Sequence, residues 1–222
     1  APPEISTLTR SSAASDVYKR QALLDELERW NRKVNLTAVR DRAQMETLHI
    51  ADSLAARPFL KGEQILDVGT GAGFPGLPLA MVEPGRHFTL LDSNNKKVGF
   101  VRHAAAMLGL DNVTAVKARA EDYAPGHRFD TVIARALASL PRLVEIAGHH
   151  VREGGVFVAL KGRYPADELQ ELPSPWCHEV VELDVPGLEK GSRHVVLLTR
   201  EKRGIYVGGP SGPNRGPGAL GV

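Results

Sequence analysis

The segment that most constrains the fold is an apolar run, Gln64–Val68, that gives way at once to Gly69-Thr70-Gly71-Ala72-Gly73-Phe74-Pro75-Gly76. An extended strand, a turn that needs glycine and the start of a helix are compressed into that stretch. Glycine is required where the backbone turns left-handed or a ligand approaches the peptide plane. Gly71-Ala72-Gly73-Phe74-Pro75-Gly76 satisfies the pattern G-x-G-x-x-G, in the strand–turn–helix context that gives the pattern its meaning. Pro75 and Pro78 lack N–H donors and so fit only near the start of the following helix. Beyond the turn, the apolar strand candidates His87–Leu91, Val113–Lys117, Thr131–Ala134 and Val156–Leu160 alternate with helical segments, most clearly Lys96–Leu108 and Leu140–His150. This alternation predicts an α/β, Rossmann-like fold: a mostly parallel sheet with helices on both faces. Two late runs, Glu179–Leu183 and His194–Thr199, are expected to close the sheet as an antiparallel pair.

Upstream, Leu23, Leu27, Trp30 and Val34 recur at helical spacing, so Gln21–Val34 reads as a helix. Asp41-Arg42-Ala43-Gln44 has the form of a capping box, and its helix should run through Leu48 and Ala51 to about Arg57, stopping before Pro58. The chain thus divides into residues 1–20, Ser/Thr/Ala-rich and read as non-native or disordered; 21–60, a helical segment; 61–203, the sheet domain; and 204–222, a Gly/Pro-rich tail expected to be disordered.

Composition narrows the class further. With 222 residues, 42% hydrophobic and 24% charged, the chain can bury a core as one domain with an appendage. The single cysteine, Cys177, excludes an internal disulfide framework and is expected to be a buried or half-buried small residue. No apolar run approaches the roughly 20 residues that cross a bilayer, and no signal-type block opens the chain, so a cytoplasmic location is expected. A net charge of +2 permits nucleic-acid binding without arguing for it, because polyanion contact depends on local clusters such as Arg29/Arg32/Lys33, Arg40/Arg42 and Lys161/Arg163. His103, His149 and His150 have no partner at metal-like spacing, so no metal is assigned.

Two acids direct the glycine-rich turn toward a particular nucleotide. A pyrophosphate at the helix start would be opposed by Asp67, which sits two residues before Gly69. A cofactor carrying an ammonium and a sulfonium, S-adenosylmethionine, is instead favoured by that charge. Asp92 ends the next strand, where a carboxylate can accept hydrogen bonds from both ribose hydroxyls. Helix capping and turn bracing are the alternative roles for both.

From about Gln21 to Arg200 the chain resembles the RsmG (GidB, glucose-inhibited division protein B) family of small-subunit rRNA methyltransferases. The resemblance rests on Trp30–Thr37, on His49-Ile50-Ala51-Asp52-Ser53-Leu54, on Asp67–Pro78 with both prolines, on Leu91-Asp92-Ser93 with Lys96-Lys97, and on Arg119-Ala120-Glu121, Ala134-Arg135-Ala136 and Lys161-Gly162. It implies a class I S-adenosylmethionine methyltransferase over 61–203, acting on N7 of one guanine of 16S rRNA near the decoding site. It places the cofactor against Asp67, Gly69, Gly71, Gly73, Phe74, Asp92, Ala120, Glu121 and Arg135, with Ala120 and Glu121 flanking the adenine. The substrate side would be Asn35, His49, Asp52, Lys161 and Arg193. The partner implied is 16S rRNA or the small ribosomal subunit, met by a monomer with no membrane contact.

The chemistry agrees with the residues. Guanine N7 carries an in-plane lone pair and no proton, so no general base is expected and alignment in a dry site carries the rate. An Asn-Pro-Pro-Tyr type signature, suited to amino-group methylation, does not follow the fourth strand; Ala134-Arg135-Ala136 stands there. Arg135 is the catalytic candidate, directed at guanine O6, an RNA phosphate or the methionine carboxylate, with a structural salt bridge as the plain alternative. Lys161 and Arg193-His194 are candidates for phosphate. Phe74, Tyr164 and Trp30 are candidate stacking surfaces for an unstacked base. The competing functions are a methyltransferase of another substrate class, a non-catalytic ribosome-assembly module and, more distantly, a dinucleotide oxidoreductase, which Asp67 opposes.

Overall fold

The computed structural model describes the backbone of residues 5–188 and 191–200, and side chains from residue 15. The expected tail 204–222 lies outside the described residues. Seven strands form one sheet: β1 (Gln64–Val68), β2 (His87–Asp92), β3 (Val113–Lys117), β4 (Phe129–Arg135), β5 (Val151–Lys161), β6 (Trp176–Leu183) and β7 (Arg193–Arg200). Their order is β3-β2-β1-β4-β5-β7-β6, with β1 to β5 parallel and β7 antiparallel to both β5 and β6. The strand sequence reverses direction between β1 and β4, and the C-terminal ends of those two strands therefore open a crevice for a ligand.

Alternation along the strands divides the core. Ile65 of β1 and Ile133 of β4 pack with Leu23, Leu24 and Leu27 of α1 (Ile5–Asn31) in one cluster. Leu66, Val68, Val132 and Ala134 point to the other face and pack with Leu140, Leu143 and Val144. Period-two alternation on central strands that are buried on both faces gives apolar runs with two separate partners. The helices are α1, α2 (Arg42–Met45), α3 (Asp52–Leu54), α4 (Gly76–Val82), α5 (Asn95–Met107), α6 (Leu140–Ala147) and α7 (Ala166–Gln170). No described helix is long and apolar enough to cross a membrane.

Several expectations are corrected. α1 begins at Ile5, well upstream of Gln21, because no glycine or proline interrupts the chain from Ile5 to Asn31. It also stops at Asn31, three residues before the expected end at Val34, where Lys33 and Val34 close the last turn onto the Trp30 carbonyl. Asp41 does cap its helix, its Oδ1 accepting from the Gln44 N–H at 2.8 Å. That helix is not uniform, however: a π-helical turn, Glu46–Ala51, joins α2 to α3. The widened turn carries His49 and leads directly into Asp52, a location typical of π-turns at functional sites. The helix expected over Leu140–His150 tightens after Ala147 into a 3-10 turn, Gly148–His150. Cys177 is exposed rather than buried, since it lies on the edge strand β6.

Candidate active site

The glycine-rich turn is built around Asp67. Fully buried at the end of β1, its Oδ2 accepts from the Thr70 hydroxyl at 2.6 Å and from the Gly76 N–H at 2.9 Å. The chain between them passes through Gly69, Gly71 and Gly73 at φ of +67°, +61° and +86°, where only glycine avoids strain. Asp92 anchors the front of the turn: Oδ2 accepts from the Gly71 N–H at 3.0 Å and Oδ1 from the Asn94 N–H at 2.8 Å.

In front of this turn lies a cavity of about 350 Å³, within the roughly 300–1,000 Å³ of small-molecule sites. Gly69, Asp92, Ser93, Ala120 and Glu121 line it together with the apolar Val68, Leu91 and Ile146. Apolar walls suit a purine, and each Asp92 oxygen keeps a free lone pair for a ribose hydroxyl. The donor set therefore fits S-adenosylmethionine. The carbonyl of Ala120 accepts from Nε2 of buried His150 at 2.9 Å, which holds this wall in place. The Glu121 carboxylate is engaged by Arg142 at 3.1 Å.

Of the turn residues expected against the cofactor, Gly69 lines this cavity, whereas Asp67, Gly71, Gly73 and Phe74 do not. Asp67 Oδ1 is buried with no partner among the described residues, and burial pushes the carboxyl up to about 6 against the lowering effect of Thr70, Gly76 and Arg135. Its part is to brace the turn. Phe74 is buried, its ring stacked on His49 at 4.8 Å with planes 19° apart.

A second cavity, of about 380 Å³, opens on the other side of Ala136, which lines both. His49, Asp52, Arg135, Lys161 and Arg193 surround it, so five residues from four distant segments converge. Arg135 borders this cavity and is not among the residues lining the first, although Ala136 beside it lines both. Its Nη1 donates to the Leu48 carbonyl at 2.6 Å and to Asp52 Oδ2 at 3.1 Å, and its Cζ lies 5.5 Å from the Phe74 ring centre. Asp52 Oδ1 accepts from Arg193 Nε at 3.0 Å, so one buried carboxylate holds two guanidiniums.

His49 completes the cluster. Arg135 Nη2 lies 3.4 Å from His49 Nδ1, and a guanidinium can only donate, so Nδ1 accepts and Nε2–H donates to Thr37 Oγ at 2.9 Å. Burial, with the neighbouring Arg135, pushes His49 down to about 4, so the ring is neutral at pH 7. Lys161 is less free than the sequence suggests: Nζ donates to the Ala138 carbonyl at 2.9 Å and to Glu168 at 2.7 Å. Asn35 lies outside both cavities, bonded to Arg40 at 3.0 Å. Its neighbour Asn31 is the buried amide that shapes the loop, its Oδ1 accepting from Leu36 and Thr37 N–H at 2.8 and 3.1 Å. Trp30, expected as a stacking face, packs on Phe100 and His103 and donates to Glu26 at 2.8 Å.

Sequence reading gave no role to Ala136, although it lies in the Ala134-Arg135-Ala136 string, and did not single out Leu137. Ala136 has φ +50°, unusual for a residue with a Cβ and characteristic of functional sites. Leu137 covers Gly69 so closely that a Cβ on that glycine would sit 2.6 Å from Leu137 Cδ1. Neither has a compositional signal; only the position directly after Arg135 points to them.

The two buried titrations oppose each other. Asp67, raised to about 6, keeps a proton that the unfolded chain loses near pH 4, so its contribution to stability falls as pH rises from about 4 to 6. His49, lowered to about 4, refuses a proton that the unfolded chain takes up near 6.5, so its contribution falls as pH drops from about 6.5 to 4. Urea unfolding from pH 4 to 7 should therefore separate them. Asp67→Asn should make the protein lose stability more steeply on acidification, and His49→Asn should make it lose less or gain. Parallel profiles for both variants and the parent would contradict the assignment.

Residues 17–196 match the family model GidB, described as rRNA small subunit methyltransferase G. The chain is 47% identical over 187 residues to the ribosomal RNA small subunit methyltransferase G of Idiomarina loihiensis, covering 84% of this chain and 90% of that protein. It is 49% identical over 178 residues to the protein of that name from Cronobacter sakazakii, covering 80% and 86%. Among solved structures, a SAM dependent methyltransferase from Aquifex aeolicus shares the fold with a TM-score of 0.53 and 20% identity, over 71% of this chain and 93% of that one.

Proposed function

The chain belongs to the rRNA small subunit methyltransferase G (GidB) family, and from that premise we propose that it methylates N7 of one guanine of 16S rRNA near the decoding site. S-adenosylmethionine is the methyl donor. The observation that carries the reading is the meeting of two chemically different cavities at Ala136: one fits a nucleoside, the other is cationic.

When bound, S-adenosylmethionine would supply an electrophilic methyl group on a sulfonium, a leaving group that departs as a neutral thioether. The protein's residues orient and exclude water. Asp92 and Gly69 border the nucleoside, while Gly71, held by Asp92, and Gly76, held by Asp67, keep the turn rigid. Ala120 and Glu121 border the adenine end. Arg135 and Arg193, pinned by Asp52, present fixed positive charge at the second cavity without spending side-chain entropy on binding. They suit guanine O6 and the flanking phosphates. His49, neutral and packed on Phe74, closes the wall between the N-terminal helices and the turn. No base is needed at N7, which carries a lone pair and no proton. Residues 61–203 are the methyltransferase domain in this reading, with 21–60 contributing His49 and Asp52, and the protein acts as a cytoplasmic monomer.

The test is incubation with labelled S-adenosylmethionine and unmodified 16S rRNA or small subunits, followed by reduction and aniline treatment. Label with strand scission at one guanine is expected. Label without scission would exclude N7, and cofactor binding with no label in either substrate would favour an assembly role.

A further inference from the structure

Immediately beyond Lys161 and Gly162, which line the cationic cavity, the loop after β5 forms another recess of about 430 Å³. Its rim carries Arg163, Tyr164, Asp167 and Glu168. Tyr164 is 56% exposed, while the other two candidate stacking rings, Trp30 and Phe74, are packed away. The ring stands near-perpendicular to the buried His194 imidazole, at 81° and 5.7 Å. His194 follows Arg193, whose guanidinium grips Asp52. An aromatic side chain is thus held open to solvent, on a platform continuous with the substrate cavity.

The charge balance selects the occupant. Lys161 and Arg163 face Asp167 and Glu168, and Lys161 is already neutralised by Glu168 at 2.7 Å. A recess with balanced charge suits a neutral planar group carrying both donors and acceptors, not a phosphate. A target guanine drawn out of its stack leaves the neighbouring base with one face bare, and an adjacent aromatic ring can cover that face. Asp167 on the rim offers acceptors for the exocyclic amino groups of a base, and Arg163 a donor beside them.

We infer that Tyr164 and this recess form a second base subsite, which takes the nucleotide flanking the target guanine in the rRNA. The inference rests on the proposed rRNA substrate. Tyr164 is a substrate-binding residue that sets register on the RNA and has no contact with the cofactor cavity.

The experiment measures filter binding of unmodified 16S rRNA, and calorimetric binding of S-adenosylhomocysteine, for the full chain and for Tyr164→Ala, Tyr164→Phe and Tyr164→Trp. Tyr164→Ala should weaken RNA binding about tenfold, the loss of one stacked base. Phe and Trp should restore it, and S-adenosylhomocysteine affinity should not change in any variant. Trp at 164 should also add a fluorescence signal that RNA quenches. Unchanged RNA affinity in Tyr164→Ala, failure of Phe and Trp to rescue, or a parallel loss of S-adenosylhomocysteine affinity would each overturn the subsite. If the parent transfers no methyl group to rRNA while the binding differences persist, the proposed function fails and the place beside a target guanine falls with it, leaving Tyr164 as an RNA-stacking residue.

Discussion

Asp52→Ala should lower the unfolding free energy by about 3 kcal/mol and the melting temperature by about 10 °C. The carboxylate is buried between Arg135 and Arg193, one oxygen for each, at 3.1 and 3.0 Å. Its removal leaves two like charges facing each other across a cavity, and truncating one member of a buried ionic cluster typically costs about 3–5 kcal/mol. The lower end applies because the two arginine side chains keep 17% and 23% of their exposure and can turn toward water. Arg193→Ala should cost clearly less, since Asp52 then retains Arg135. Urea unfolding of both variants checks the ranking. A loss below 1 kcal/mol for Asp52→Ala, or a larger one for Arg193→Ala, would show that the carboxylate does not organise the site.

The second large effect falls on the cofactor. Asp92→Ala should weaken S-adenosylhomocysteine binding roughly a hundredfold, by calorimetry, with little change in the circular dichroism of the fold. Hydrogen bonds to a charged acceptor contribute about 1.5–3 kcal/mol each, and 1.4 kcal/mol is a factor of ten. The proposed ribose contacts would be lost together with the anchor on the Gly71 N–H. A change of less than threefold would remove Asp92 from the binding role and leave it as a brace for Gly71 and Asn94.

The contrast between these two carboxylates shows what the chain discloses before it is folded. Asp92 was legible because a local rule places it: a strand, a glycine-rich turn and a second strand bring its carboxylate to the first turn. The strands themselves were legible for the same reason, since short apolar runs such as Gln64–Val68, bounded by turn residues, keep their meaning out of context. Asp52 and Arg193 are 141 residues apart, and no spacing rule joins them; only the family resemblance brought both to the substrate side. Lys161 misled because a lysine at a strand end looks free until Glu168 is seen beside it. Asn35 and Asn31 are alike in composition, and only burial shows that Asn31 holds the loop. The insertion of β7 between β5 and β6 was invisible too, because an antiparallel pair can close a sheet in either order.

That insertion has a consequence for how the protein comes into being. β7 is the last described strand in the chain, yet it sits inside the sheet and carries the arginine that completes the Asp52 clamp. While the polypeptide is being made, β5 keeps an unpaired edge, and Asp52 has Arg135 as its one guanidinium partner until Arg193 emerges. A translation product cut short before β7 would hold the complete glycine-rich turn and still lack a sealed sheet and the second guanidinium at Asp52. Chains that lack β7 are therefore expected to present an open β5 edge, a template for pairing with other chains, and to aggregate more readily than chains that carry it.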